Sequence, residues 1–290
     1  MPKLVWLNGT ISPLETATTS VADHAHLYGD GLFEGIRIYN GKVFKLDEHL
    51  TRAYHGCRYM GFNMTMTQPE LRAKVLEVCK EAQINDGYIR LNITRGTGLG
   101  LDPRATNNTP NVMIMISTLA LYSEEMAKAG LQVITSSFRT ITPDSLDARL
   151  KCIGRYASNI MAKTEANRAG AGEALMLNQN GIVAECTGDN IFIIKDGVLR
   201  TPHPTAGILQ GITRDTVIRL AREAGHTVVE DYFTRFDIFE ADEAFLTGTA
   251  AEVIAMVGLD GQKIGAGVPG PTTKKIIDLF REETKQGAAF

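Results

Sequence analysis

Cysteine is scarce in this chain: four among 290 residues, at positions 57, 79, 152 and 186, with no CxxC pair and no Cys/His cluster. That spacing argues against a disulfide framework and a zinc site, so reduced thiols in a cytoplasmic setting are expected. Long apolar runs are missing as well. Nothing approaches the roughly 18 apolar residues a membrane helix needs, and the start, MPKLVWLNG, lacks a charged segment leading into an apolar one. A soluble protein with no membrane partner follows as the expectation. Nor is there a basic excess: 30 Lys and Arg stand against 33 Asp and Glu, a formal charge of −3 with His neutral. Without a basic field a nucleic-acid partner is not expected, and any anion has to be held by local cations or backbone N–H groups. No internal repeat or low-complexity tract occurs.

What is present reads as hairpins interleaved with a few helices. Apolar runs flank Asn8-Gly9, Asn40-Gly41, Asn178 to Gly181, Lys195 to Gly197 and Leu259 to Gly261, each a turn signal between strands. Residues 87–94 and 111–117 read as further strands. Helices are predicted over 46–60, with Leu50, Ala53, Tyr54 and Cys57 on one stripe, after Thr67 with Glu70 completing a capping box, ahead of residue 168, from Gly211 onward, and from Pro271, with Ile276, Ile277 and Phe280 inward. The pattern predicts an α+β fold rather than a doubly wound parallel sheet. The length suits two domains; the stretch 119–130, which contains Tyr122-Ser-Glu-Glu, places the boundary near residue 122, giving 1–122 and 123–290.

Four groups of residues carry chemistry. Lys151 follows a polar run and precedes a helix, beside the small Cys152 and Gly154, where a partly desolvated amine can act as a nucleophile toward carbonyls. Glu185 ends the apolar strand 182–184, where a carboxylate calls for a cation. Gly211 and Thr213 open a helix, so the N–H groups of Ile212 and Thr213 and the Thr213 hydroxyl make an anion cradle, with Thr249 in a second turn as a further donor. On strand 87–94, Tyr88 and Arg90 share a face and suit a carboxylate. Taken singly, each has a plain structural reading: a solvated lysine, a surface ion pair, a helix cap. His24 and His26 lack a nearby third ligand and read as ordinary hydrogen-bonded histidines; no metal is expected. The GxGxG run at 96–100 leads into more loop instead of a helix, which argues against a dinucleotide site.

Five stretches in this order, YGDGLFEGIR (28–37), Lys151 with Tyr156, AECTGDNIF (184–192), GITRD (211–215) and FLTGTAAE (245–252), resemble the class IV pyridoxal-phosphate aminotransferases, and among them the branched-chain amino acid aminotransferases. The resemblance runs from about residue 5 to residue 282. It implies a two-domain fold of type IV, with a small N-terminal α/β domain and a larger cofactor-binding C-terminal domain built on a barrel-like sheet. It implies pyridoxal 5′-phosphate held covalently by Lys151, with Glu185 on the ring nitrogen, Tyr156 on the ring 3-oxygen and Leu209 against the ring. Arg52, Ile212, Thr213 and Thr249 would hold the phosphate, and Phe33, Gly35, Arg37, Tyr88, Arg90 and Ala250 would shape the substrate site. Tyr28 would reach in from a neighbouring subunit, implying a homodimer or higher homo-oligomer. The implied reaction moves the amino group of leucine, isoleucine or valine to 2-oxoglutarate. Arg155 before Tyr156, Leu91 after Arg90, Gln210 before Gly211 and Ala255-Met256 depart from the commonest family pattern, which bears on substrate breadth. The rival readings are a D-amino acid transaminase, disfavoured because Asn92 stands where a His would; an aminodeoxychorismate lyase; and a non-enzymatic phosphate-ligand module.

Overall fold

The computed structural model describes residues 4–118 and 122–290; part of the expected boundary, 119–121, lies outside them. The chain forms two compact units. The first holds residues 1–120, 150–155 and 284–290, and the second holds 121–149 and 156–283. This differs from a single cut near 122, because the Lys151 stretch belongs to the first unit. The reason is backbone pairing: Phe33 N donates to Lys151 O at 3.1 Å, Ile153 N to Gly31 O at 2.8 Å and Gly154 N to Gly29 O at 3.1 Å. Gly29, at φ +70, must stay bare, since a Cβ there would lie 2.6 Å from the Gly154 Cα.

In the first unit, β1 (Leu4–Leu7) and β2 (Thr10–Ser12) are followed by the short α1 (His24–Tyr28), capped by the Asp23 side chain. Then come β3 (Gly31–Tyr39), β4 (Lys42–Val43), α2 (Leu46–Met60), α3 (Gln68–Ala82), β5 (Gly87–Thr94) and β6 (Asn111–Ser117). A C-terminal strand, Ala288–Ala289, completes a seven-stranded sheet by pairing with β4; the order continues β3, β5, β6, β1, β2, and every pairing is antiparallel. Side chains alternate in direction along a strand. Leu32, Ile36, Ile89, Leu91, Ile93, Ile114 and Ile116 therefore share one face, all of them buried, with α2 against β3 and α3 against β6. The opposite face carries Phe33 and Arg37 on β3 and Tyr88, Arg90 and Asn92 on β5, all half-buried.

The second unit runs α4 (Glu124–Ala129), β7 (Leu131–Arg139), α5 (Tyr156–Arg168), β8 (Glu173–Leu177), β9 (Val183–Cys186), β10 (Asn190–Lys195), β11 (Val198–Pro202), α6 (Ile212–Glu223), β12 (Val228–Asp231), α7 (Arg235–Glu240), β13 (Glu243–Gly248), β14 (Glu252–Leu259), β15 (Gln262–Lys263) and α8 (Pro271–Glu283). The sheet order is β12-β11-β10-β13-β14-β7-β8-β9, with β15 on β14. Hairpins dominate, and three pairings are parallel: β11 with β12, β14 with β7, and β7 with β8. The last strand, β9, returns against β10 and β11, so the sheet curls around a core of Val133, Leu175, Val183, Ile191, Ile193, Leu246, Ile254 and Met256.

The α+β reading and the main helices stand. Three short helices, α1, α4 and α7, have no counterpart in the sequence reading. At five or six residues they are too short to show a helical period, although each begins at a capping residue: Asp23, Ser123 and Thr234. In α8, Ile277 is only half-buried, and Thr273 shares the inward face with Ile276 and Phe280.

Candidate active site

In the first unit, Lys151 lies on β3 through its backbone, and its Nζ sits 4.5 Å from the centre of the Phe33 ring. The Arg90 guanidinium carbon lies 3.6 Å from the same ring centre. One aromatic ring thus has two cationic side chains within reach of its π system, which its quadrupole attracts. Arg90 and Gly35 are direct partners across the β3–β5 pairing, as are Arg37 and Tyr88. Gly35 leaves room for the tyrosine: a Cβ on it would fall 2.1 Å from Tyr88 Oη. Arg37 turns its guanidinium onto Tyr39, 4.8 Å from the ring centre.

Arg52 lies on the other side of β3. Its Nε and one terminal nitrogen grip Glu34, both at 2.7 Å, while His49 Nδ1 meets Glu34 Oε2 at 2.8 Å. Glu34 and His49 are each 1 % exposed, which makes this an ion network inside the core. Burial pushes the Glu34 carboxyl up, but Arg52 and then His49 outweigh it and hold the acid down to about 2. His49 is lowered from 6.5, by burial first, against the pull of Glu34. The sequence reading named Arg52 and passed over Glu34 and His49. His49 was legible, one helical turn before Arg52, whereas Glu34, a carboxylate in an apolar strand, has no visible partner in the sequence.

Tyr28 ends α1, and its hydroxyl accepts from Gly100 N at 3.1 Å. His24 is buried, with Nδ1 2.8 Å from Asp30 and Nε2 2.9 Å from Gly100 O. It is therefore a structural histidine tying α1 to the 96–110 loop. Among the described residues no cluster of His, Cys, Asp and Glu suits a metal ion.

In the second unit, Glu185 is 5 % exposed on β9. Its Oε2 accepts from Leu209 N at 2.8 Å and from Asn190 Nδ2 at 3.2 Å, and the same amide nitrogen donates to Leu209 O at 2.8 Å. Asn190 thereby ties the acid to the turn that leads into α6. That helix starts at Gly211 with no side chain capping it, so the first N–H groups, at Ile212 and Thr213, are presented by a bare helix end. Thr247 Oγ1, near the end of β13, is buried without a hydrogen-bond partner. Thr249 and Ala250 occupy the turn that follows β13, and Tyr156 is the first residue of α5. An uncapped helix end with hydroxyls suits a phosphate, and a buried carboxylate fixed by two N–H groups suits a protonated ring nitrogen, so these residues fit the cofactor implied by the motifs.

Behind Glu185 stands a second acid that the sequence reading did not use. Asp189 is 5 % exposed, with Tyr122 Oη at 3.5 Å. Burial, then the charge of Glu173, raises it from 3.8 to about 7.

The family profile of the class IV amino-transferases matches residues 31–257. The chain belongs to the class IV aminotransferases. A putative branched-chain-amino-acid aminotransferase of Methanocaldococcus jannaschii is 44% identical over 98% of this chain and 97% of its own length. The branched-chain-amino-acid aminotransferase of Pseudomonas aeruginosa is 39% identical over 99% and 96%. Among solved structures, the Escherichia coli branched-chain amino acid aminotransferase superposes with a TM-score of 0.93 at 34% identity, covering 97% of this chain and 94% of that one. Another branched-chain amino acid aminotransferase, solved with pyridoxamine 5′-phosphate, also superposes with a TM-score of 0.93, at 36% identity over 98% and 94%. The fold is thus that of the type IV enzymes, and the likeness spans both units.

Proposed function

We propose that this class IV aminotransferase carries the amino group of leucine, isoleucine or valine to 2-oxoglutarate, using pyridoxal 5′-phosphate. The observation that carries the reading is the pair of cations on Phe33: the Lys151 amine 4.5 Å and the Arg90 guanidinium 3.6 Å from one ring centre. An amino acid substrate brings a carboxylate, which the Arg90 guanidinium answers, and the Lys151 amine beside it would be the group that holds the cofactor. Full-length relatives named for branched-chain amino acids support the substrate class, and a neighbour holding pyridoxamine 5′-phosphate supports the cofactor.

Bound pyridoxal phosphate supplies an aldehyde for an amine to bond and a ring that takes up electron density as the substrate's Cα proton leaves. Lys151 Nζ would hold the cofactor through its aldehyde and would serve as the base that carries the proton at the substrate Cα. Glu185 keeps a proton on the ring nitrogen, and Asn190 and Leu209 N–H keep that carboxylate in place. Tyr156 donates to the ring oxygen, and Leu209 packs against the ring. The N–H groups of Ile212 and Thr213, the Thr249 hydroxyl and Arg52 hold the phosphate. Glu34 fixes the plane of the Arg52 fork by taking two of its nitrogens. Phe33, Gly35, Arg37, Tyr88, Arg90 and Ala250 surround the substrate. In the dimer implied by the motifs, Tyr28 belongs to the neighbouring subunit's substrate pocket.

Borohydride reduction of the purified enzyme, followed by digestion and mass spectrometry, is expected to place the cofactor adduct on Lys151; an adduct on any other peptide refutes the assignment. Assays with L-leucine, D-alanine and an aromatic primary amine against 2-oxoglutarate are expected to favour L-leucine by more than tenfold. Faster turnover of D-alanine sinks the substrate reading, and release of pyruvate from an aromatic substrate would mark a lyase instead.

A further inference from the structure

The sheet face that carries Phe33 also carries Asn92, a polar side chain with no part so far in the reaction. Asn92 stands directly opposite Phe33 in the β3–β5 register and two residues beyond Arg90, on the same face of β5. Its Oδ1 accepts a hydrogen bond from Arg90 Nε at 2.8 Å. Among the restraints on the guanidinium are therefore two of different kinds. The Phe33 ring, 3.6 Å from the guanidinium carbon, attracts a cation to its face but imposes little preference on how the guanidinium turns above it. An amide oxygen is a directional acceptor, and bonding Nε fixes that turn.

The chemistry of the acceptor matters. A carboxylate at position 92 would neutralise the arginine, and an aliphatic side chain would leave Nε to rotate. A neutral amide holds the fork while Arg90 keeps its full charge for an anion. On the neighbouring strand β6, the residues opposite Asn92 and Arg90 are Met113 and Met115, whose thioethers are weak acceptors and compete poorly with Asn92.

We propose that Asn92 is a positioning residue for substrate binding: by holding Arg90 Nε over the Phe33 ring, it sets the direction in which the guanidinium meets a substrate carboxylate. The proposal rests on the reading that Arg90 binds such a carboxylate, and its test separates the two. Glutarate carries two carboxylates and no amine, so it probes this contact without chemistry. Its Kd for the holoenzyme is measured by calorimetry, alongside KM and kcat for L-glutamate, in the wild type, Asn92→Leu, Asn92→Gln and Arg90→Ala.

Asn92→Leu is expected to weaken glutarate binding and raise KM about tenfold, the scale of one hydrogen bond to a charged group. The kcat should stay within about twofold and the melting temperature should not move, while Asn92→Gln, which keeps an acceptor, recovers part of the loss. Arg90→Ala should weaken glutarate at least as much as Asn92→Leu. If Asn92→Leu binds glutarate like the wild type while Arg90→Ala does not, the positioning role is overturned. If Arg90→Ala itself binds as tightly as the wild type, the carboxylate reading beneath it fails. A fall in kcat and melting temperature together in Asn92→Leu marks a general lesion and also overturns the proposal. Should Asn92→Leu fail to fold, Asn92→Ser, too short to reach Nε, takes its place against the same criteria.

Discussion

Gly35 and Asp189 show how much a single position decides. Gly35 leaves the Tyr88 hydroxyl space that a Cβ would occupy at 2.1 Å, and it stands opposite Arg90. Gly35→Ala is expected to displace Tyr88 and raise KM for L-leucine about tenfold, since misplacing a binding group by an ångström costs that much or more; circular dichroism should be unchanged. An unaltered KM would remove Tyr88 from the substrate face. Asp189 concerns stability. Its native carboxyl titrates near 7 and its unfolded one near 3.9. Between those values the unfolded chain has lost the proton and the native one keeps it, so stability declines as pH rises through that window. Asp189→Asn cannot ionise, and melting curves should show it stabilised relative to wild type at pH 8 more than at pH 4. The sequence put Asp189 in a turn beside Glu185, and only the fold reveals it as a buried acid facing Glu173, Tyr122 and Lys163.

Strand β3 and helix α2 form the element pair on which the first group of proposed functional residues depends. The strand sends Phe33, Gly35 and Arg37 to one side and Glu34 to the other, where α2 supplies Arg52 and His49. Both titrating partners have native values below their unfolded ones: Glu34 at about 2 and His49 below 6.5. Each therefore contributes stability above its unfolded pKa, and that contribution is lost as pH falls, through His49 below 6.5 and through Glu34 from about 4.5 toward 2. Urea titrations from pH 7 to pH 3 should show the stability gap between wild type and Glu34→Gln closing at the acid end, where the Glu34 contribution is lost. At neutral pH the same substitution removes the buried charge that Arg52 and His49 meet and is expected to cost about 3–5 kcal/mol. A loss under 1 kcal/mol would mean that Arg52 finds another partner. Phe33, Gly35 and Arg37 were legible from the motif. Glu34 was not used, because a carboxylate in an apolar strand has no visible partner until α2 is laid against it.

For the whole molecule, the chain order and the spatial order disagree at two places. Residues 150–155 and 284–290 both leave the stretch that surrounds them in sequence and belong to the first unit. The C-terminal strand pairs with β4 and closes that edge of the sheet, and Lys42 Nζ donates to Lys285 O at 3.0 Å. Deleting 284–290 should expose β4 as an open edge, lower the melting temperature, and raise light scattering on heating; an unchanged melting profile would show that this strand does not guard the edge. The resemblance of its ordered motifs named the lysine and acid proposed to serve the cofactor; by itself the sequence determined the α+β class, the main helices and hairpins, and the glycine at the start of α6. These rest on local rules of period, turn and cap that neighbouring residues settle among themselves. Tertiary structure decided that Lys151 lies along β3, that Arg52 is held by a buried acid, and that Asn190 and Asn92 steer Glu185 and Arg90. Those partners are distant in sequence, or, where they are near, only strand pairing and burial determine whether two side chains two or five residues apart meet on one face.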